Sequence, residues 1–397
     1  MVFARKPLLL YFAILIFLQF AVCIAGWRFV RAGLVDFRNF YAIGYLIRTG
    51  QSGSLYDYQA QTAVQNHLVS PRTAALPVMI PPLAGLPFAP LSRLDYLNAF
   101  CVFAGVNLLL ATLSAVWIAR FFPSLSSYAF LTPALLFLSF PPLGFALLQG
   151  QLSIVLLAIC CAVFVALKRE QPLLAGLLLS LGLIKFQIAV PIALLFLLWR
   201  RWRFIAGFLI GTSVFAAASL AIVGTAHASS IFRTPFTAAA GPNSIAQLQY
   251  GVYFDRMPNL YGLMYALTQS AKWAILPTVL LSICLLAWAA RRRPSMELAI
   301  PVALLVSYHL YLHDLTLLLL PFAHILDRYL ASASASRSPS RRRTVAATAS
   351  LLIFPFLALC LVPSNWISLL CIPIVLVALA LGWPTAAPAR SPAEALA

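Results

Sequence analysis

What most restricts the folding of this chain is the repeated return of long, almost charge-free apolar stretches separated by short basic runs. A helix that crosses a bilayer needs roughly 20 apolar residues, and fewer if it is broken or re-entrant. Segments of that kind fall at about twelve places: 8–27, 98–118, 128–147, 152–167, 172–184, 187–199, 203–223, 272–290, 297–312, 314–331, 345–362 and 366–382. Hydrophobic residues make up 62% of the 397 positions and charged residues 9%, against about 25% charged in soluble domains. A water-soluble fold of this length cannot hide so much apolar surface in one core. Lipid removes the difficulty, because helices satisfy their own backbone and turn apolar side chains toward acyl chains. The expected fold class is therefore all-α and polytopic, with about twelve transmembrane or re-entrant helices.

The net charge of +18 does not point to nucleic acid, because the basic residues sit between apolar segments. They occur as Arg5-Lys6, Lys168-Arg169, Arg200-Arg201-Trp202-Arg203, Arg291-Arg292-Arg293 and Arg341-Arg342-Arg343. Such runs mark cytoplasmic loops, where the anionic inner leaflet is their electrostatic partner. With the N-terminus inside, all of these runs fall on one side, provided that 172–199 is a hairpin of two short helices with Lys185 at its tip. Both termini are then cytoplasmic. Two long connections, 28–97 and 224–271, lie outside, and connections of that length are usually functional. The expected organisation is one membrane domain over 1–384, with these outer loops forming the site, and a flexible tail over 385–397. Segment 8–27 reads as a retained first helix, being too long for the core of a cleaved signal. The seven cysteines lie within apolar stretches without metal-ligand spacing and read as small core hydrophobes.

Acids are scarce, so their positions carry information. The nine Asp and Glu residues include Asp36, Asp57, Asp95, Asp255 and Asp314 on the expected outer side. Asp36 follows the first helix, among Arg31, Arg38 and aromatic residues. It is placed either to accept a proton from a sugar hydroxyl, or to cap the helix over 37–47 or pair with Arg38. Lys185 follows twelve apolar residues; it either holds a lipid phosphate at headgroup depth or snorkels to the interface. His309, His313 and Asp314 can orient a substrate or form a His–Asp pair. On a helix the i,i+4 spacing of the two histidines also permits metal ligation, but no further ligand cluster accompanies it. No Walker A loop, GxGxxG after a strand, or Gly-x-Ser-x-Gly elbow occurs.

Short motifs in order along the chain resemble glycosyltransferase family 87, enzymes of the polyprenyl-phosphate-mannose type with the GT-C membrane fold. They are Asp36-Phe37 with Phe40-Tyr41, Gly50 before Leu55-Tyr56-Asp57, and Pro81-Pro82-Leu83 with Ala89-Pro90-Leu91-Ser92. Gly150-Gln151, Ala175-Gly176 with Lys185, Met257-Pro258-Asn259-Leu260 and His313-Asp314-Leu315 follow. Ser153 and Phe186 depart from the family's usual Asn and Pro. The resemblance implies an inverting transfer of a hexose, mannose in the family, from a polyprenyl-phosphate carrier to a lipid or glycan acceptor on the extracytoplasmic face of the cell membrane. It implies no cofactor, and partners that are the lipid-linked donor, the acceptor and membrane lipids. Carried over to this chain, Asp36 is the base. Lys185 and Arg256 suit the leaving phosphate, and His313 and Asp314 lie beside phosphate or acceptor. Tyr41, Asn259, Gln151 and Arg38 complete the expected substrate contacts. A transporter, flippase or ligase of lipid-linked saccharides is the competing reading, although no internal repeat of the kind transporters carry is visible.

Overall fold

The computed structural model describes residues 2–71, 75–128, 131–227, 253–332 and 345–350, with isolated positions elsewhere. Among these residues all regular structure is helical. The first helix, α1 (Val2–Arg31), has 30 residues, about 45 Å at 1.5 Å per residue, enough to cross a bilayer. The short helix α2 (Phe37–Arg48) follows, then α3 (Tyr58–Leu68) and the long α4 (Tyr96–Ala119). Next come α5 (Thr132–Leu138) and α6 (Pro141–Gln149), bent by 57° relative to one another. Pro141 and Pro142 cause the bend, since proline lacks the amide donor and disfavours a helical residue before it.

The central helices are α7 (Ser153–Lys168), α8 (Pro172–Leu181), α9 (Phe186–Leu198) and α10 (Trp202–Val223). After them lie α11 (Leu260–Thr268), α12 (Ala271–Ala290), α13 (Met296–Val306) and α14 (Leu319–Ser332). Among the described residues five helical stretches have the length and composition to cross a membrane, six if the bent pair is one span, with Pro172–Leu198 counted end to end as one of the five. Their outward faces are apolar: Phe17 and Phe20 on α1, Leu113 and Val116 on α4, and Leu276 and Ile283 on α12 are each more than half exposed. Water does not tolerate so continuous an apolar surface; lipid does.

The expectation of twelve segments is met only in part. Of segment 345–362 only residues 345–350 and 353 are described, and of segment 366–382 only residue 375; the run Arg341–Arg343 lies outside the described residues. Segment 297–312 is not one helix, because α13 ends at Val306 and Ser307 turns to an extended conformation. Segment 314–331 begins inside a 3-10 turn, Leu312–Leu318. Cysteines do not form one class either. Cys160 and Cys161 are buried, whereas Cys101 and Cys284 are exposed on the apolar faces of α4 and α12.

The stretch Pro172–Leu198 reverses direction at its centre. A 3-10 turn, Gly182–Lys185, interrupts it, and Lys185 adopts φ −132° and ψ 69°. Pro172 and Phe196 line the same cleft, although a straight helix would hold them about 36 Å apart. The hairpin read from charge is therefore present. It places Lys168, Arg201, Arg203 and Pro294 together at one end of the bundle. Asp36, Gln151, Lys185 and Asp314 meet at the other.

Backbone contact between α8 and α10 fixes the ascending arm of this hairpin. A Cβ added at Gly176 would collide with the Phe204 carbonyl, and one at Gly207 with the Leu173 carbonyl. Small residues bring helices this close where lipid supplies no hydrophobic drive. Gly207→Leu should therefore lower the stability of purified protein by about 1–3 kcal/mol, read as a fall in thermal midpoint in detergent. An unchanged midpoint would show that the two helices are not held by this contact.

Candidate active site

Helix α6 ends at Gly150, whose φ of +62° is left-handed and whose Cα faces Phe37 so closely that a Cβ would strike that ring. Glycine is needed there on both counts. The turn sends the two flanking glutamines to the same residue of the first loop. Gln149 Oε1 accepts from the Asp36 amide at 3.2 Å, and Gln151 Nε2 donates to Asp36 Oδ2 at 2.5 Å. Asp36 stands at the N-cap position of α2, yet its side chain makes no capping hydrogen bond. Its carboxylate is turned into the protein.

Arg38 points elsewhere. It is buried and bound to Gln65 Oε1, Asn66 Oδ1, Ser70 Oγ and the Ser70 carbonyl. The alternative in which Asp36 caps α2 or pairs with Arg38 is thereby excluded; Arg38 ties α2 to α3. Burial pushes the Asp36 carboxyl above the ordinary carboxylate range, while the Gln151 donation and the nearby Lys185 ammonium pull it partly back.

Two helix breaks complete the cavity. From the first, Lys185 Nζ reaches Asp314 Oδ1 at 2.5 Å. From the second, the 3-10 turn after α13 presents Asp314, which also accepts from Ser153 Oγ at 2.8 Å and from the Tyr311 amide at 3.1 Å. His313 Nε2 lies 3.5 Å from Asp314 Oδ2. Asp36, Gln151, Lys185, His309, His313 and Asp314 all line one cavity of about 140 Å³, with Asn39, Tyr308 and Tyr311. An ammonium has three donors, so Lys185 can serve Asp314 and still present hydrogens to a ligand. Asn39 donates to the Pro77 carbonyl at 2.9 Å. Its Oδ1 is buried without a partner among the described residues.

The cavity adjoins an apolar slot of about 380 Å³, with which it shares Met79, Tyr308 and His309. The slot runs along Ile275, Val279 and Ile283 of α12, where Ile275 and Ile283 are more than half exposed on the lipid-facing surface. A polar cavity thus abuts an apolar channel that reaches the outside of the bundle between helices.

Residues 80–321 match glycosyltransferase family 87. The chain belongs to this family. No curated protein and no solved structure matches it. This glycosyltransferase therefore acts on a sugar donor and an acceptor, within a membrane-embedded helical fold. The matched stretch carries Gln151, Lys185, His313 and Asp314 but begins after Asp36, which reaches the same cavity through the fold.

The other expected substrate residues are used differently. Tyr41 packs edge-on to Tyr96 and donates to the Leu94 carbonyl at 2.6 Å, inside the aromatic cluster behind α2. Asn259 is buried as the N-cap of α11, accepting from Gly262 N–H and donating to the Ser307 carbonyl. Arg256 is exposed and lies over the Tyr253 ring, 4.7 Å from its centroid. None of these three lines the cavity, nor does Arg38. Of the second long connection, described only to residue 227 and from 253 apart from an isolated position, Phe254 and Tyr261 line the apolar slot. His309 and His313 do share the cavity, but not as neighbours on one helical face, because the chain between them is not α-helical. Among the described residues no three His, Cys, Asp or Glu side chains are grouped so that they could hold a metal ion.

Asn39, Gln149 and Tyr311 escaped the sequence reading. Asn39 stands three positions after Asp36 and Gln149 directly precedes the glycine turn, so a helical wheel and the symmetry about Gly150 carried the signal. Tyr311 contributes through its backbone amide, for which side-chain identity gives no sign.

Removing one member of the Lys185–Asp314 pair leaves a buried charge uncompensated. Asp314→Asn should cost about 3–5 kcal/mol of stability, and the double variant Lys185→Met with Asp314→Asn should recover most of it. Thermal unfolding of the three proteins checks this; equal losses in single and double variants would contradict the pairing.

Proposed function

We propose that this glycosyltransferase takes a hexose from a polyprenyl-phosphate carrier and passes it to a lipid or glycan acceptor with inversion at the anomeric carbon. The fold is read as GT-C, the site as extracytoplasmic in the cell membrane, and both termini as cytoplasmic. The observation that carries the reading is a cavity lined by a buried carboxylate and a lysine, adjoining an apolar slot open to lipid with which it shares Met79, Tyr308 and His309. A nucleotide-sugar donor has no use for that slot. A polyprenyl tail does, because it lies there without leaving an apolar medium.

In this reading Asp36 accepts the proton of an acceptor hydroxyl. The hydroxyl oxygen forms its bond to the anomeric carbon as the bond from that carbon to the phosphate oxygen breaks. The electron pair leaves with polyprenyl phosphate, an acidic leaving group that needs cationic stabilisation more than protonation. Lys185 supplies that cation, and Asp314 with Ser153 holds it in place. Gln149 and Gln151 orient Asp36. Mannose is the proposed hexose on the family resemblance.

The pH dependence follows from the raised Asp36 ionisation. A base works only when ionised, so the acid limb of kcat/KM lies above the usual carboxylate range, and activity falls as pH drops through it. With polyprenyl-phosphate mannose in nanodiscs, Asp36→Asn should lose about 10²–10⁴-fold in turnover while still binding donor, and Gln151→Leu should move the acid limb upward. Full turnover in Asp36→Asn would remove that residue from the chemistry.

A further inference from the structure

At the end of the bundle opposite the cavity lies a second cleft, of about 490 Å³. Its wall is aromatic: Phe164, Phe196 and Phe204 line it, and the last two stack with centroids 4.0 Å apart. Its basic side consists of Lys168, Arg201 and Arg203. Two carboxylates are also present. Glu297 is buried, 3.7 Å from Lys168 Nζ and 3.6 Å from His324 Nδ1. Glu170 stands exposed at the rim. Among the described residues, Arg201 and Arg203 meet no carboxylate.

Local backbone brings these cations to one level. Helices α7 and α9 both end on a left-handed residue that is not glycine, Glu170 at φ 59° and Arg200 at φ 56°. Each turn is closed by the following amide, Gln171 to the Ala166 carbonyl and Arg201 to the Phe196 carbonyl. Non-glycine residues adopt that conformation at a cost of roughly 1–2 kcal/mol, so two such turns side by side are held by their surroundings. Trp202, between the two arginines, is 63% exposed, the placement of an aromatic anchor at headgroup depth. From the cleft a shallower groove continues over Leu173 and Leu174, sharing Glu170, Pro172 and Arg203 with it. Both leucines are exposed.

We propose that this cleft is a binding site for an anionic glycerophospholipid. The phosphate lies against Arg201 and Arg203, where a planar guanidinium grips two phosphate oxygens. One acyl chain follows Leu173 and Leu174 along the bundle. A soluble anion gains nothing from the aromatic wall or the leucine groove, whereas a lipid uses charge and apolar surface together. The bound lipid bridges the starts of α8 and α10, the pair whose close packing leads up to Lys185. The site is independent of the sugar-transfer reading.

The test uses the full-length protein in phosphatidylcholine nanodiscs with a trace of photoreactive phosphatidylglycerol, and maps labelled peptides by mass spectrometry. Label is expected within 164–174 and 196–204, displaced by unlabelled phosphatidylglycerol but not by added phosphatidylcholine or millimolar inorganic phosphate. The double variant Arg201→Gln with Arg203→Gln should lose at least about tenfold of that labelling, with an unchanged thermal midpoint in phosphatidylcholine. Equal displacement by phosphatidylcholine, displacement by inorganic phosphate, or undiminished labelling of the folded variant would each overturn the proposal. Should the variant not fold, the competition on the unaltered protein decides.

Discussion

Lys185 and Asp314 stand inside an apolar bundle only because each neutralises the other. An isolated charge at that position costs several kcal/mol, so the two helix breaks that present them must meet. One break is the 3-10 turn between α8 and α9 and the other is the turn after α13. Ser153 at the start of α7 closes the arrangement by donating to the same carboxylate oxygen that receives the lysine. Three helix ends are thereby brought to one point, and the cavity is the space that remains between them.

The loop after α1 reaches that point through a different contact. Asp36 is drawn inward by Gln149 and Gln151, on either side of a glycine that no other residue can replace without moving Phe37. Behind it, Phe37 packs among Phe88, Tyr96, Phe100 and Phe103, and Arg38 binds α3 and the segment after it. The acid is thus held by polar contacts in front and an aromatic cluster behind. Asp36 and Arg38, two positions apart in sequence, are separated into a carboxylate that lines the cavity and a guanidinium that ties α2 to α3.

Much of this was readable from residue order. Charge placement foretold the hairpin at Lys185, because Lys168-Arg169 and Arg200–Arg203 could share one end only if 172–199 reversed. Asp36, Gln151, Lys185, His313 and Asp314 were named from motifs and are brought together by the fold. Tyr41 and Asn259 stood within such motifs, and Arg38 and Arg256 beside them; all four lie away from the cavity, since a motif does not say which way each side chain turns. The break after Val306 was also hidden. Residues 297–312 are apolar enough to continue a helix, and the turn there depends on Asp314 capturing the Tyr311 amide, a contact that hydropathy does not encode.

The account rests on one spatial claim, that the carboxylate, the lysine and the lipid-facing slot serve a single lipid-linked donor. Its most direct test is an experimental structure of the protein with a non-cleavable polyprenyl phosphonate. The account predicts phosphorus beside Lys185, the reducing end facing Asp36, and the prenyl chain against Val279 and Ile283. A phosphonate seated away from Lys185, or a chain leaving the protein by any route other than that slot, would contradict it.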